Sequence, residues 1–339
     1  MKPTIYDVAK EANVSIATVS KVINNTGRIG EKTKNRVLDI MKELEYQPSS
    51  LAVALTGKKT FTIGVLVPDI ANPFFAEVAR ALENNARKSG YALILCSTDY
   101  QLERENDYLE LLIKKQVDGL IIATEPKDLK QFKNLNNRKI PFVMFSFDHL
   151  ALESNVVTTD DIRGGYLAGR YLWEKGHRNI AVITETQRAS GHLRLEGFKQ
   201  SFVDEGMDFS NTLVIQAKSK IEEAKEAAHQ ILKMEKLPTA VFATTDLIAA
   251  VFINEARKAK VSVPHDLSVI GFDNTIHAEM VEPGLTTIAQ PITDLARYAI
   301  HQLMESIEKP DMPAHRMMLA PTLIERESVR DLNKKNSLT

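Results

Sequence analysis

The most restrictive feature of this chain is the run from Thr4 to Asn24, where two amphipathic segments meet across a turn too short to keep them apart. Thr4 and Asp7 form the Ser/Thr-x-x-Asp/Glu start signal, in which side-chain oxygens take up backbone N–H groups that a first helical turn leaves unpaired. A helix therefore begins near Ile5, with Val8, Ala9 and Ala12 as its apolar face. Asn13 and Val14 turn the chain, and Ser15 opens a second helix as its N-cap. On that helix Val19, Val22 and Ile23 point inward, which leaves Ile16, Ala17, Ser20 and Lys21 on the opposite face. A third helix over Glu31 to Glu45 carries Val37, Ile40, Met41 and Leu44 at core spacing. Three such stripes close one small core, and the first two helices make a helix-turn-helix.

The chemistry of the exposed face suits DNA. Lys21 can donate to guanine O6 and N7 in the major groove or to a phosphate; as a point charge it lacks the planar fork of arginine. Ile16 and Ala17 suit a thymine methyl, and Ser20 lies between them and Lys21. Thr4, Tyr6, Ser15, Thr18 and Asn24 supply hydroxyls and an amide for phosphate positioning, although Thr4 and Ser15 also serve as caps. Charge agrees with this: the net charge is −1, yet residues 1–60 hold ten Lys/Arg against six Asp/Glu. Ser49 to Gly57 then reads as a helix of about two turns, capped by Ser49 or Ser50 and ended by Gly57. Leu51 and Leu55 share one face of it, and a helix this short needs support from elsewhere.

From Thr60 onward strands alternate with helices, the pattern of parallel sheets built from right-handed β-α-β units. Thr62 to Val67, Ala92 to Cys96, Gly119 to Ala123 and Phe142 to Phe145 are expected as buried strands of a first lobe. Ile180 to Ile183, Val214 to Gln216, Ala240 to Ala243 and Ser268 to Phe272 are the strands of a second. Phe75 to Lys88, Glu103 to Lys115, Arg163 to Lys175, Leu193 to Glu205, Glu222 to Met234 and Asp246 to Ala259 are the intervening helices. The 339 residues allow two or three domains, and the single Cys96, set in an apolar run, is expected as a buried inert thiol. No apolar stretch reaches the length of a membrane span and no secretory leader is evident, so a cytoplasmic protein is expected. Neither an enzyme nor a cofactor or metal protein is expected: Gly-x-Gly-x-x-Gly, a Walker phosphate loop and His-Glu-x-x-His are all absent, and the eight histidines are scattered. His177 reads as a helix-end residue before a strand.

The strings Tyr6-Asp7-Val8-Ala9, Val14-Ser15-Ile16-Ala17-Thr18-Val19-Ser20 and Tyr46-Gln47-Pro48 resemble the lactose-repressor and galactose-repressor family of bacterial transcription regulators, and the resemblance runs on to about residue 327. It implies an α/β fold with an all-α helix-turn-helix head at 1–46, a hinge and linker at 47–59, and a two-lobed, periplasmic-binding-protein-like core of parallel sheets at 60–339. The chain would cross between lobes three times, with the first lobe at about 60–160 and 290–320 and the second at about 161–289 and 321–330. The helix near Asp294 to Glu308 would return to the first lobe. The tail from Glu327 is polar and lacks heptads, so a homodimer is expected, reading a pseudo-palindromic double-stranded DNA operator as a repressor. The hinge would pair with its mate and press Leu55 into the minor groove, with Leu51 and Ala52 beside it.

A small-molecule effector, a sugar or phosphorylated metabolite, would occupy the cleft between lobes. Asp69, Asn72, Phe74 and Phe75 follow the first strand at the carboxyl edge where open α/β sheets bind ligands. Arg194 and Asp273 fall on effector positions of the family, and Asp160, Asp161, Thr245 and Asp246 match cleft-lining ones. Two departures stand out: many sugar-binding members have Asn where Thr245 stands, and Ile215 to Glu223 lacks the aromatic residue that often stacks on the ligand. One alternative is control by a phosphocarrier protein, whose arginines are not evident where Ala299-Ile300-His301-Gln302 stand. The other is a solute-binding protein, against which the helical head argues.

Overall fold

The computed structural model describes residues 3–23, 26–46, 59–125, 128–149, 151–185, 188–206, 208–210, 212–217 and 220–334. It divides into two compact units, Met1–Thr60 and Phe61–Thr339. The smaller unit contains α1 (Ile5–Glu11), α2 (Ile16–Ile23) and α3 (Glu31–Glu43). The start signal forms in both directions: Asp7 N donates to Thr4 Oγ1, and Thr4 N donates to Asp7 Oδ2 at 2.8 Å. Those hydrogen bonds hold the Asp7 carboxyl below the usual carboxylate range. Asn13 adopts a left-handed φ of 49°, and Val14 N returns to Ala9 O at 3.0 Å, which completes the tight turn into α2. Ser15 Oγ caps α2 by accepting from Thr18 N at 3.1 Å. The third helix ends at Glu43, short of Glu45, because Glu45 turns to a φ of 51°. Val8, Ala9, Ala12, Val19, Val22 and Val37 form the core of this unit, walled by Ile40, Met41 and Leu44.

In the larger unit the first sheet holds β1 (Thr62–Val67), β2 (Ala92–Ser97), β3 (Gly119–Ile122), β4 (Phe142–Phe145), β5 (Asn155–Thr159) and β11 (Arg316–Leu319). The second holds β6 (Ile180–Thr184), β7 (Leu213–Gln216), β8 (Ala240–Ala243), β9 (Ser268–Asp273), β10 (Thr286–Ala289) and β12 (Thr322–Ile324). Strand order is the same in each: β2-β1-β3-β4-β5-β11 and β7-β6-β8-β9-β10-β12. Every pairing is parallel except β12 on β10. Separate apolar clusters cover both faces of each sheet, which is why strands such as Thr62-Ile63-Gly64-Val65-Leu66-Val67 read as continuous apolar runs.

The helices are α4 (Pro73–Lys88), α5 (Leu102–Lys114), α6 (Leu129–Asn137), α7 (Asp161–Glu174), α8 (Ala189–Asp204), α9 (Ile221–Leu232), α10 (Asp246–Lys258), α11 (Ile276–Met280) and α12 (Ile292–Glu308). The chain passes between sheets three times: from β5 to β6, from β10 through α12 to β11, and from β11 to β12. Leu295, Ala296, Ala299, Ile300 and Leu303 of α12 pack into the cluster under β1 and α4, so this helix does return to the first lobe. The sequence pattern leaves α6, α11, β5, β10, β11 and β12 unmarked, and it sets most other ends within a few residues. The described part of the C-terminal tail is anchored on the second lobe: Ser328 is buried and donates to Val269 O at 2.6 Å, and Leu332 N donates to Lys175 O at 2.8 Å. His177 is buried between Thr239 Oγ1 and Arg330 O, and burial pushes its pKa down to about 4. Cys96 is buried too, which raises its thiol. Among the described residues no helix is long and apolar enough to cross a membrane, and no group of three metal-ligating side chains gathers.

Candidate functional site

On the smaller unit Ile16, Ala17 and Lys21 are exposed on one face of α2, with Ser20 half-buried beside them. The stem of Lys21 leans over the loop after α2: a Cβ on Gly27, whose φ is +75°, would stand 3.5 Å from Lys21 Cδ. Tyr6 is 68% exposed at the start of α1. The hydroxyls of Thr4 and Ser15 serve the caps, and Thr18 Oγ1 lies 2.9 Å from Ser15 Oγ. Asn24, Leu51, Ala52, Leu55 and the expected hinge helix from Ser49 to Gly57 lie outside the described residues.

In the larger unit the carboxyl ends of both sheets line one cavity of about 360 Å³, within the range of small-molecule sites. The first lobe supplies Asn72, Phe74 and Phe75 at the start of α4, Thr98 and Tyr100 after β2, Thr124 and Glu125 after β3, and Ser146 and Phe147 after β4. The second supplies Asp161, Arg188, Arg194, Thr245 and Asp273, with Gln290 from the return crossing. This is the carboxyl-edge location that open α/β sheets favour, doubled by the two like sheets.

The side chain of Arg194 is set by a helix crossing without room for side chains. A Cβ on Gly165 of α7 would overlap Arg194 O, and one on Gly197 of α8 would overlap Ile162 O, so the two backbones touch. That contact brings the start of α7 to Arg194, whose Nε donates to Asp161 Oδ1 at 2.7 Å. Arg194 Nη1 donates to Thr244 O at 2.7 Å and to Asp273 Oδ1 at 3.2 Å, while the guanidinium stacks 3.7 Å from the centre of the Phe272 ring. Gln290 Nε2 donates to the same Asp273 oxygen at 2.7 Å, and Gln290 Oε1 accepts from Thr159 Oγ1 at 2.7 Å. Burial opposes the charge on Arg194, but Asp161 and Asp273 outweigh it and hold its pKa above the usual value. Burial raises both partners; Asp273 is pushed up to about 6 although Arg194 pulls the other way. Asp273 also sits at φ 115°, a conformation that stores strain.

Seven expected effector residues therefore meet in the cavity: Asn72, Phe74, Phe75, Asp161, Arg194, Thr245 and Asp273. Three do not line it, for local reasons. Asp69 Oδ1 accepts from Ala71 N at 2.8 Å within its own turn. Asp160 is the N-cap of α7 and accepts from Arg163 N at 2.9 Å. Asp246 turns from the helix start into the core, where Thr275 N and the hydroxyls of Thr275 and Thr287 donate to it. Burial and the neighbouring Asp273 push it up to about 8. The aromatic surface missing from Ile215 to Glu223 is supplied from the first lobe by Phe74, Phe75, Tyr100 and Phe147. Arg188 of the second lobe reaches over Tyr100 and Phe75, 4.6 and 5.5 Å from the ring centres, and Glu125 Oε2 accepts from Ala189 N at 3.3 Å, so the lobes meet across the mouth. Arg188, Gln290, Thr124 and Ser146 escaped sequence reading because single polar residues in loops carry no periodic signal.

A helix-turn-helix unit joined to a two-sheet core around a polar, ligand-sized cleft defines a DNA-binding protein under effector control. Residues 4–49 match the model "Bacterial regulatory proteins, lacI family", and residues 170–329 match "Periplasmic binding protein-like domain". The HTH-type transcriptional regulator DegA of Bacillus subtilis is 42% identical over 337 residues, 98% of this chain and 100% of DegA. The ribose operon repressor of Halalkalibacterium halodurans is 38% identical over 329 residues, covering 96% and 97% of the two chains. A solved LacI family transcriptional regulator from Enterococcus faecalis V583, with bound ribose, superposes with a TM-score of 0.73 at 36% identity, covering 80% of this chain and 99% of that one. The chain belongs to the lacI family of bacterial regulatory proteins, and it acts as an effector-controlled, DNA-binding transcriptional repressor.

Proposed function

We propose that the effector is a small, uncharged, polyhydroxylated compound of the sugar class, held between the lobes by Arg194, Asp161, Asp273, Asn72 and Gln290 against Phe74, Phe75 and Phe147. The observation that carries this reading is charge balance: Arg194 lies between two buried carboxylates, and the described lining as a whole sets five acids, Glu105, Glu125, Asp161, Glu185 and Asp273, against three cations, Arg188, Arg194 and Lys220, so no surplus positive charge is left for a phosphate. Paired donors and acceptors beside aromatic rings suit hydroxyls on an apolar ring face. The ribose named for one relative and one solved neighbour agrees with that chemistry.

Two copies of the chain would read a pseudo-palindromic operator, residues 47–59 serving as the hinge. Ile16, Ala17, Ser20 and Lys21 would face base edges, with Thr4, Tyr6, Ser15 and Thr18 on phosphates. Ligand that prefers one lobe arrangement would shift the population of DNA-competent dimers. Thermal melting in the presence of D-ribose and of D-ribose 5-phosphate tests the ligand class. A bound sugar at a hundred times its dissociation constant adds about 2.7 kcal/mol. A rise with the phosphorylated compound alone would overturn the reading.

A further inference from the structure

Asp246 is buried at the start of α10 and does not line the cavity, yet its carboxyl group is bonded to the turn that presents Asp273. Its Oδ2 accepts from Thr275 N at 2.7 Å and from Thr275 Oγ1 at 3.2 Å, two residues beyond Asp273, and its Oδ1 accepts from Thr287 Oγ1 of β10. All three donors are neutral. An acid buried among neutral donors is costly, and an apolar side chain of similar size would suit the core better. The carboxyl group is there for what it holds.

What it holds is strained backbone. Asp273 and Asn274 have φ of 115° and 58°, two successive residues in the left-handed region with neither a glycine, and such a pair persists only where its neighbours over-determine it. Arg326 Nη2 donates to Asn274 Oδ1 at 2.8 Å, and Asp246 takes up both the backbone N–H and the hydroxyl of Thr275. The sheet leaves room for this. Gly271 of β9 pairs with Thr287 of β10, and a Cβ on Gly271 would stand 2.5 Å from Asp246 Oδ1, so the missing side chain is the niche in which the carboxyl group sits. With Thr275 fixed, Asp273 Oδ1 meets Arg194 Nη1 and Gln290 Nε2.

Resting on the reading above that Asp273 meets the effector, we propose that Asp246 is a positioning residue for effector recognition. It sets where the Asp273 carboxylate stands without touching the ligand itself. Loss of its hydrogen bonds lets the strained turn relax and carries that carboxylate away from Arg194.

Calorimetry on the full chain, beside ligand-free melting, tests this with whichever of D-ribose, D-glucose and D-ribose 5-phosphate the parent binds. Asp246→Ala should weaken that ligand about 10- to 100-fold, the range seen when an outer partner of a metal ligand is removed. Asparagine keeps an acceptor for Thr275 N and an amide that can donate to Thr287 Oγ1, so Asp246→Asn should recover most of the affinity. Gly271→Ala keeps the acid but fills its niche, and it should weaken the ligand too. Ile231→Ala opens the same second-lobe core from α9; it should lower the melting temperature and leave affinity at the parent's level. Parent-like affinity in Asp246→Ala or Gly271→Ala, no recovery in Asp246→Asn, or an equal loss in Ile231→Ala overturns the positioning role and leaves the ligand class untouched. Should Asp246→Ala not fold, Asp246→Asn and Gly271→Ala decide by the same criteria. A parent that takes only the phosphate ester overturns the neutral-sugar reading alone, and one that binds none of the three overturns both.

Discussion

Arg194→Met is the most informative single substitution, because it removes a cation from between two buried carboxylates. Arg194 is 6% exposed, and Asp161 and Asp273 are 5% and 6% exposed. In the parent the guanidinium reaches one at 2.7 Å and the other at 3.2 Å. Breaking a buried pair by deleting one partner costs about 3–5 kcal/mol, since the remaining charge stays out of water. Methionine keeps much of the apolar stem against Phe272, so the loss is chiefly electrostatic. At 2–4 °C per kcal/mol for a chain of this size, the core transition should fall by roughly 6–20 °C at pH 8. Without Arg194 both carboxyls rise further, and protonation then relieves them. The deficit should therefore shrink on going from pH 8 to pH 5.5. Melting followed by circular dichroism at both pH values is the assay. A variant melting within about 2 °C of the parent at pH 8 would refute the view that the cation is held by compensation in a closed site.

Gly197→Ala should place a methyl on the carbonyl of Ile162 and force α7 from α8, costing about 1–3 kcal/mol and weakening effector binding, both read by calorimetry. In the parent, Asp273 and Asp246 have folded pKa values raised to about 6 and about 8, so their contribution is present in acid and is lost as pH rises through those values. His177 has the opposite sign: lowered from 6.5 to about 4, it costs stability as pH falls through that interval. A chemical-denaturation series should thus show stability falling from pH 4 towards pH 8, with His177 offsetting part of the fall below pH 6.5, and Asp246→Asn should flatten the part between pH 6.5 and 8; an unaltered slope there would contradict the assignment. Lys21→Ala should relax preference at one position of each operator half-site; a uniform loss across sequences with a shallower salt dependence would place Lys21 on phosphate instead.

What could be read from the sequence was local or strongly periodic. The Thr4–Asp7 capping box, the Asn13 turn and the stripe on α2 each need only a few consecutive residues, and the buried strands announce themselves as apolar runs. The helix α6 did not, because Leu-Lys-Gln-Phe-Lys-Asn-Leu-Asn-Asn buries only Phe132 and Leu135. Strands β11 and β12 are half-exposed returns whose partners lie far away in sequence. In the cleft, paired acids at helix starts looked equivalent but are not. Successive residues turn by about 100° around a helix, so Asp160 caps α7 while Asp161 meets Arg194. By the same rotation Thr245 lines the cavity while Asp246 enters the core. Only tertiary contacts, from Thr275 and Thr287 in one case and Arg194 in the other, separate a structural carboxylate from a site carboxylate.

The central claim is that occupancy of the cleft sets affinity for operator DNA. Its most direct test is fluorescence anisotropy of a labelled operator duplex, recovered by selection from genomic fragments, at one fixed salt concentration. The duplex is titrated with the parent in the absence and presence of a saturating neutral sugar that raises its melting temperature. A coupling of 1–3 kcal/mol predicts that the sugar shifts operator affinity about 5- to 150-fold, with no comparable shift on nonspecific DNA. Identical operator affinity with the cleft empty and filled would contradict the account.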